Sequence, residues 1–265
     1  MFITFESKLE LISFFKLAGK IVTKLRRGIY LLPNLFTTGA LFSGFYSIVA
    51  AMNQQFESAA IAIFVAMVLD GVDGRIARLT NTQSAFGMQY DSLSDMISFG
   101  LAPSLVVYKW ALFGMGKFGW LAAFVYTVCA SLRLARFNTQ AKSVDKRYFQ
   151  GLPSPGAAAV LGGLVWLGSN HNFYDGPTMQ FVCFLITIVM GLLMVSNIRY
   201  HSFKEFDLKN RIPFVAFLII VPIFFLIAVE TALVLFLMAV VYAFSGPIIT
   251  LILLRKHRAA RKDAR

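Results

Sequence analysis

Apolar runs long enough to cross a lipid bilayer dominate this chain from residue 34 to residue 254. A membrane-spanning helix needs roughly 20 apolar residues, because each residue adds about 1.5 Å of helix length. With 58% hydrophobic and only 14% charged residues, the chain is too apolar for an ordinary soluble domain. The sequence therefore predicts an all-α fold, a polytopic membrane helical bundle with about eight transmembrane helices. The predicted spans are residues 34–52, 57–76, 88–110, 118–137, 155–170, 178–197, 212–229 and 231–254.

The N-terminal segment, residues 1–30, has a different pattern. Lys16, Lys20 and Lys24 recur four residues apart with apolar residues between them, which is typical of a basic amphipathic helix on a membrane surface. The same lysines interrupt the apolar core that a secretory signal peptide would need. A solvated tail is the alternative. We therefore expect an interfacial helix over 1–30, followed by one membrane domain over 31–265.

The distribution of basic residues predicts the orientation. If the N-terminus is cytoplasmic, every Lys and Arg except Lys109 and Lys117 lies on or near the cytoplasmic side of the predicted spans. We therefore expect a multi-pass protein of the cell (inner) membrane with both termini in the cytoplasm. The net charge of +12, including the basic run 255–265, indicates contact with anionic membrane lipids and no nucleic-acid partner. Cys129 and Cys183 lie in apolar runs, so no disulfide is expected.

One acidic stretch stands out among the apolar runs. Residues 70–95 read DGVDGRIARLTNTQSAFGMQYDSLSD and hold four of the thirteen acidic residues. Asp70 and Asp73 are three residues apart, and Asp91 and Asp95 are four apart, so each pair shares one face of a helix. Carboxylates beside apolar helices need a compensating charge, because their uncompensated burial is costly. Oxygen ligands suit hard divalent cations, and the stretch therefore predicts a metal site that opens to the cytoplasm.

The spacing of this stretch is D-x2-D-G-x2-A-R-x8-G-x3-D-x3-D, which is the signature of the CDP-alcohol phosphotransferase family. The chain resembles that family at every fixed position: Asp70, Asp73, Gly74, Ala77, Arg78, Gly87, Asp91 and Asp95. Members move a phosphatidyl-type group from a CDP-linked donor to an alcohol and release CMP. Within the family the chain is most similar to integral-membrane phosphatidylserine synthases. The stretches that support this branch are Leu32-Pro33-Asn34 with Thr37 and Thr38, Arg133–Asn138 and Phe149–Pro155.

The resemblance implies roles for the four aspartates. Asp70, Asp73 and Asp91 would ligate one divalent ion, and Asp70, Asp91 and Asp95 a second, each Mg²⁺ or Mn²⁺. Asp95 would also be the catalytic general base that takes the proton from the attacking hydroxyl. Helix caps or partners for nearby arginines are the alternative interpretation of these carboxylates.

The resemblance also implies a binding site for the CDP donor. A pyrophosphate needs cationic donors, and Arg78 can offer the planar fork of its guanidinium. Asn34 could instead be no more than a helix N-cap. The expected donor-binding residues are Pro33, Asn34, Thr38, Gly74, Ala77, Arg78 and Gly87.

The acceptor site is the least constrained. Arg133 and Arg136 lie near the inner end of the fourth predicted span, where they are either positive-inside anchors or contacts for an acceptor carboxylate. We expect CDP-diacylglycerol and L-serine as substrates. Glycerol phosphate, inositol phosphate, choline or an ether-lipid donor are the alternatives within the family. A cation-coupled transporter is the alternative from another class, but it would want carboxylates at the bilayer midplane and an internal repeat.

A homodimer packed through membrane helices is also expected from the resemblance. Small residues permit close helix packing, and the third and fourth predicted spans carry several of them. These are Gly87, Gly100, Gly119, Ala122 and Ala123.

Overall fold

The computed structural model describes residues 32–80, 82, 84–140, 148–171, 176–201 and 229–263. The predicted surface helix over 1–30 and the predicted span over 212–229 lie outside these residues. In chain order, the described elements are α1 Leu32–Met52, α2 Phe56–Leu79, α3 Ala85–Met115, α4 Lys117–Gln140, β1 Tyr148–Gln150, α5 Ser154–Asn170, α6 Pro177–Val195, β2 Arg199–His201 and α7 Thr231–Asp263.

Five of the described helices, α1, α3, α4, α6 and α7, are long and apolar enough to cross a membrane. The other two are helices at predicted spans but differ in character. Helix α2 carries four charged residues near its C-terminal end, and α5 has only 17 residues. The prediction of a polytopic helical membrane bundle is confirmed.

Two predicted breaks between helices coincide with turns that need unusual backbone conformations. Gln54, between α1 and α2, has a φ of 63°, and Gly116, between α3 and α4, has a φ of 55°. Residues with a Cβ rarely adopt a positive φ, which is why glycine or a small group of polar residues is found at such turns. The short turn at Gly116 makes α3 and α4 antiparallel neighbours.

Helix α5 lies at the centre of the described bundle, where it packs against α2, α7 and the middle of α3. Most of its residues are buried, and many of them are Ala or Gly. A Cβ on Gly163 would lie 3.0 Å from the Cα of Phe236 in α7, and one on Gly162 would lie 3.5 Å from the side chain of Ile63 in α2. Small side chains therefore let the three helices approach closely.

Two three-residue strands depart from the all-α prediction. β1 and β2 pair antiparallel, with Phe149 opposite Tyr200. Beyond the strands, the amide of Gly151 donates to the carbonyl of Ile198 at 2.8 Å, and that of Leu152 to the carbonyl of Leu193 at 3.0 Å. The pairing thus ties the beginning of α5 to the end of α6. Strands this short carry no periodic pattern that a sequence could reveal.

Strand β2 also contacts α7. Pro247 lies inside α7 and has no N–H, so the carbonyl of Ala243, four residues earlier, lacks its usual helical partner. The buried hydroxyl of Tyr200 donates to this carbonyl at 2.8 Å. Burial raises the pKa of Tyr200 to about 12, so the phenol remains a proton donor at neutral pH. The side chain on β2 therefore replaces a hydrogen bond that the proline removes.

The small residues considered for a dimer contact pack within the chain. A Cβ on Gly100 would lie 3.2 Å from the Cβ of Ala130, and one on Gly119 would collide with the carbonyl of Leu112. Ala122 and Ala123 are buried. These positions therefore hold α3 against α4, and they do not form a small-residue stripe open to a second copy.

Candidate metal and substrate site

Three of the four motif aspartates converge between α2 and α3. Ligand oxygens of Asp70, Asp91 and Asp95 all lie within 4.8 Å of one another, and each residue is partly buried. Oxygens bound to one divalent ion at about 2.0–2.6 Å lie at most about 5 Å apart, so this spacing fits a shared ion. The three carboxylates repel one another at this distance, and a bound cation would relieve that repulsion. The donor set therefore could hold a hard metal ion.

Asp73 is placed differently from the other three. Its side chain is 5% exposed, and its Oδ2 accepts a hydrogen bond of 2.7 Å from Thr37 Oγ1 of α1. It is not a member of the described group whose ligand oxygens lie within 4.8 Å. Residues three apart on a helix differ by about 60° in direction, whereas residues four apart differ by about 40°. Asp73 is therefore angled toward α1, while Asp70 faces α3.

Serine hydroxyls fix α1 against α3 beside these carboxylates. Ser94 donates to the carbonyl of Thr37 at 3.1 Å, and Ser98 donates to the carbonyl of Ala40 at 3.0 Å. Both serines are buried, and Ser94 directly precedes Asp95. The sequence did not predict a role in the site for Thr37 or for either serine. The sequence does not show which group a hydroxyl in a predicted span contacts, because that depends on which helix packs beside it.

Asp95 lies at a change in helix geometry. The α-helical turn of Ala85–Asp95 passes directly into a π-helical segment, Met96–Leu101. Such segments widen a helix by one residue per turn and are frequent at functional sites. Nothing in the composition of this stretch predicted the change, because π-helical segments depend on the packing around them.

The donor-site residues predicted on α1 lie at its beginning. Pro33 is buried, and Asn34 lies beside α3, where a Cβ on Gly87 would be 3.4 Å from the Asn34 Oδ1. Thr38 Oγ1 lies 2.9 Å from the hydroxyl of Tyr90, the residue before Asp91. The structure thus brings the predicted α1 residues next to Gly87 and adds Tyr90 to the neighbourhood.

The donor-site residues predicted on α2 are more open. Among the described residues, no heavy atom outside its own stretch of helix lies within 4 Å of the position that a Cβ on Gly74 would take. Arg78 is exposed, and its Nε donates to the carbonyl of Gly74 at 2.8 Å. The carbonyl of Ala77 accepts from the amide of Thr82 at 3.1 Å, which closes the end of the helix. The open space at Gly74 leaves room for a ligand near the carboxylates.

The two arginines predicted for the acceptor have different surroundings. Arg133 of α4 is 8% exposed and its Nη1 donates to Ser154 Oγ at 2.9 Å. Arg136 is less buried, and its Nη1 donates to Asn197 Oδ1 at 3.4 Å. Asn197 Oδ1 also accepts from Gln150 Nε2 at 3.3 Å, so Arg136 belongs to the junction of β1 and α6.

A multi-pass helical bundle in which three converging carboxylates could hold a hard divalent ion is typical of a class of proteins, the membrane enzymes that act on phosphorylated substrates. Comparison with known families makes the assignment specific. Residues 30–191 match the model of the CDP-alcohol phosphatidyltransferase family. The chain belongs to that family.

Curated relatives are found in distant organisms. The chain is 42% identical to the CDP-diacylglycerol–serine O-phosphatidyltransferase of Helicobacter pylori strain 26695 over 178 residues, which cover 67% of this chain and 74% of that protein. It is 33% identical to the protein of the same name from Bacillus subtilis strain 168 over 179 residues, or 68% of this chain and 94% of that protein. A third, from Methanocaldococcus jannaschii, is 32% identical over 54% of this chain and 63% of that protein.

Proposed function

We propose that this protein is a CDP-diacylglycerol–serine O-phosphatidyltransferase, which transfers a phosphatidyl group from CDP-diacylglycerol to L-serine. The products are phosphatidylserine and CMP. Two relatives with that name match about two thirds of the chain. The observation that carries the proposal is the convergence of Asp70, Asp91 and Asp95 within 4.8 Å.

The reaction follows from the chemistry of this site. The serine hydroxyl forms a bond to the lipid-side phosphorus, the bond from that phosphorus to the CMP oxygen breaks, and CMP leaves with the bonding electrons. Asp95 takes the hydroxyl proton, which is the role that the family motif implies for its last aspartate. Asp95 directly precedes the π-helical segment that packs against α4. Two divalent ions, Mg²⁺ or Mn²⁺, would when bound polarise the phosphorus and offset the charge of the diphosphate.

The metal-binding roles combine the motif and the geometry. Asp70, Asp91 and Asp95 would share one ion, and Asp70, Asp91 and Asp73 a second. Thr37 holds the Asp73 carboxylate at 2.7 Å, so Asp73 can serve as a ligand whose orientation is fixed by α1.

The nucleotide of the donor would lie between the beginning of α1 and the motif helices. Gly74 leaves open space for it, and the absence of a side chain at Gly87 keeps α3 close to Asn34. Pro33, Asn34 and Thr38 line the side formed by α1. Arg78, one turn after Gly74, would contact a phosphate, and Ala77 keeps that turn narrow. The lipid tails would remain in the bilayer.

The membrane topology is a further part of the proposal. Eight spans, with an interfacial helix over 1–30 and a membrane domain over 31–265, put both termini and the site at the cytoplasmic face of the inner membrane. Adding a reporter after position 53 or position 116 would test it. Reporters after positions 53 and 116 should both lie outside the inner membrane, whereas a reporter after position 265 should lie in the cytoplasm.

A homodimer is proposed from the family resemblance. Because Gly100, Gly119 and Ala122 pack within the chain, its surface would be formed by other residues. Cross-linking of the purified protein in nanodiscs, read by its mass, would show a dimer or a monomer.

The activity is tested with purified protein, CDP-diacylglycerol and Mg²⁺ or Mn²⁺. We expect CMP release and phosphatidylserine when L-serine is added, and neither when the metal is chelated. Absence of CMP release with serine, glycerol 3-phosphate, inositol phosphate and choline would reject the enzyme assignment. Release with one of the last three and not with serine would retain the family chemistry and replace the acceptor.

A further inference from the structure

A buried arginine faces the interior of the bundle beside the carboxylates. Arg133 is 8% exposed, and its Nη1 donates to Ser154 Oγ at 2.9 Å. Its Nε is buried and has no hydrogen-bond partner among the described residues. A buried guanidinium with an unpaired N–H is costly, and charged residues within membrane helices commonly mark substrate sites.

The packing of α3 against α4 locates this guanidinium. Tyr126 of α4 donates to the carbonyl of Phe99 at 3.1 Å, and the amide of Asn138 donates to Ser92 at 3.0 Å. The two helices are antiparallel, so the part of α4 between these two contacts faces the part of α3 between Ser92 and Phe99. Arg133 and Asp95 lie in those intervals.

Arg133 also lies on the correct side of α4. It follows Tyr126 by seven residues, which is about two helical turns, so both side chains leave the same face of the helix. That face packs against the π-helical segment after Asp95. Asp95 lies close enough to Arg133 for its charge to act on the guanidinium. The arginine and the carboxylates therefore border the same interior space.

We propose that Arg133 is the specificity-determining residue for the acceptor, and that its Nε–H binds the α-carboxylate of the amino-acid acceptor. The inference rests on the proposed function and deepens it. In serine only two carbon atoms separate the carboxylate carbon from the hydroxyl oxygen. An acceptor held by Arg133 therefore presents its hydroxyl toward Asp95, which takes the proton.

Ser154 completes this subsite. It is fully buried, and it opens α5 directly after Pro153. Its hydroxyl accepts from Arg133 and so fixes the guanidinium plane, which leaves the Nε–H directed away from α5. Ser154 is a positioning residue in this arrangement. Arg136 is excluded from it, since its contact to Asn197 lies at the strand and α6 junction.

The same N–H could bind a different oxyanion, a phosphate of the donor, and the experiment separates the two. The wild-type protein is assayed with L-serine and with ethanolamine, which is serine without its carboxylate. We expect ethanolamine to be used at least about 100-fold less efficiently. With ethanolamine bound, the Nε–H of Arg133 would remain buried without a hydrogen-bond acceptor. L-alanine, which keeps the carboxylate and lacks the hydroxyl, should inhibit competitively with serine. Equal use of serine and ethanolamine would overturn the proposal without any variant.

The variants then assign the effect to Arg133. Arg133→Met should raise the KM for serine on the order of 10- to 100-fold and leave the KM for CDP-diacylglycerol nearly unchanged. Arg133→Lys should recover part of the loss, and Ser154→Ala should raise the serine KM by a smaller factor. Arg136→Met, three residues further along the same helix, is the matched comparison and should raise it least.

Binding measured without turnover keeps the test independent of activity. Calorimetric titration of L-alanine into the wild-type protein should show binding that Arg133→Met loses, while melting temperatures in detergent report whether the variant is folded. If Arg133→Met weakens the donor and not the amino acid, the arginine binds phosphate and the proposal is wrong. If the wild type releases CMP only with a non-amino-acid alcohol, the proposed function fails first, and the alanine titration then shows no binding.

Discussion

The hydroxyl of Thr37 and the carboxylate of Asp73 lie 2.7 Å apart, and both residues are almost completely buried. The contact joins the beginning of α1 to the motif helix α2. Ser94, the residue before Asp95, donates to the carbonyl of the same threonine, so Thr37 contacts side chains of both α2 and α3. Helix α1 therefore takes part in the site through its contacts with side chains from both motif helices.

Removing the Thr37 hydroxyl should weaken metal binding. Thr37→Val keeps the shape of the side chain and leaves the Asp73 carboxylate without its donor, so we expect an apparent affinity for Mn²⁺ lower by about 10- to 100-fold. Thr37→Ser keeps the hydroxyl and should stay close to the wild type. Titration of Mn²⁺, followed by its magnetic resonance signal, measures the affinity without substrate. An unchanged affinity in Thr37→Val would show that Asp73 does not reach a metal.

Loss of a shared carboxylate should have a larger effect. Asp91→Asn keeps the size of the side chain but removes one charge from the group formed with Asp70 and Asp95. Changes beyond the direct ligands commonly cost 10- to 100-fold, so we expect CMP release to fall by at least about 100-fold. Glu57→Gln is the matched control, because Glu57 is exposed in the first turn of α2, far along the helix from the motif. Uptake of a cation by vesicles containing the wild-type protein, without CMP release, would favour a transporter instead.

The sequence predicted the elements that depend on local composition. Apolar runs located most of the described helices to within about five residues, although α7 continues to Asp263, well beyond its predicted end at residue 254. The turn at Gly116 followed from its glycines and lysine. The convergence of Asp70, Asp91 and Asp95 agrees with the spacing of the motif, because residues four apart share a helix face.

Features that depend on contacts between distant helices were not predictable. The partner of Asp73 is 36 residues away, and that of Ser94 is 57 residues away. The π-helical segment after Asp95 and the two short strands likewise depend on packing and carry no local signal. The different surroundings of Arg133 and Arg136 were not predictable either. The two arginines are three residues apart in the sequence, and only their tertiary contacts distinguish them.

Helices α1 and α3 approach closely at Gly44, so we expect that replacing this glycine destabilises the fold. A Cβ on Gly44 would lie 2.7 Å from the Cα of Ser98, so Gly44→Ala must push the two helices apart. We expect the free energy of unfolding to fall by about 1–3 kcal/mol, seen as a lower melting temperature in detergent. Gly71→Ala is the matched control for stability, because no heavy atom of the described residues outside its own stretch of helix lies within 4 Å of its Cβ position. Alanine favours a helix over glycine, so this control should melt at the same temperature or higher.

The role of the hydrogen bond from Tyr200 to the Ala243 carbonyl can be tested by restoring the backbone N–H that Pro247 lacks. Tyr200→Phe keeps the ring against Gly246 and leaves the Ala243 carbonyl unpaired, which should lower the free energy of unfolding by about 1–3 kcal/mol. In a Pro247→Ala background the residue at 247 has an N–H that can bond to this carbonyl, so Tyr200→Phe should cost less there.

The difference between the two costs is the coupling energy of a double-mutant cycle, and we expect at least about 0.5 kcal/mol. The effect should also have a defined pH dependence. The folded-state pKa of Tyr200 is raised from 10.0 to about 12, so the contribution of its hydroxyl is complete below pH 10 and is lost as the pH rises through 12. Equal costs of Tyr200→Phe in both backgrounds would mean that the hydroxyl of Tyr200 contributes independently of Pro247, and that the proline does not create the need for this bond.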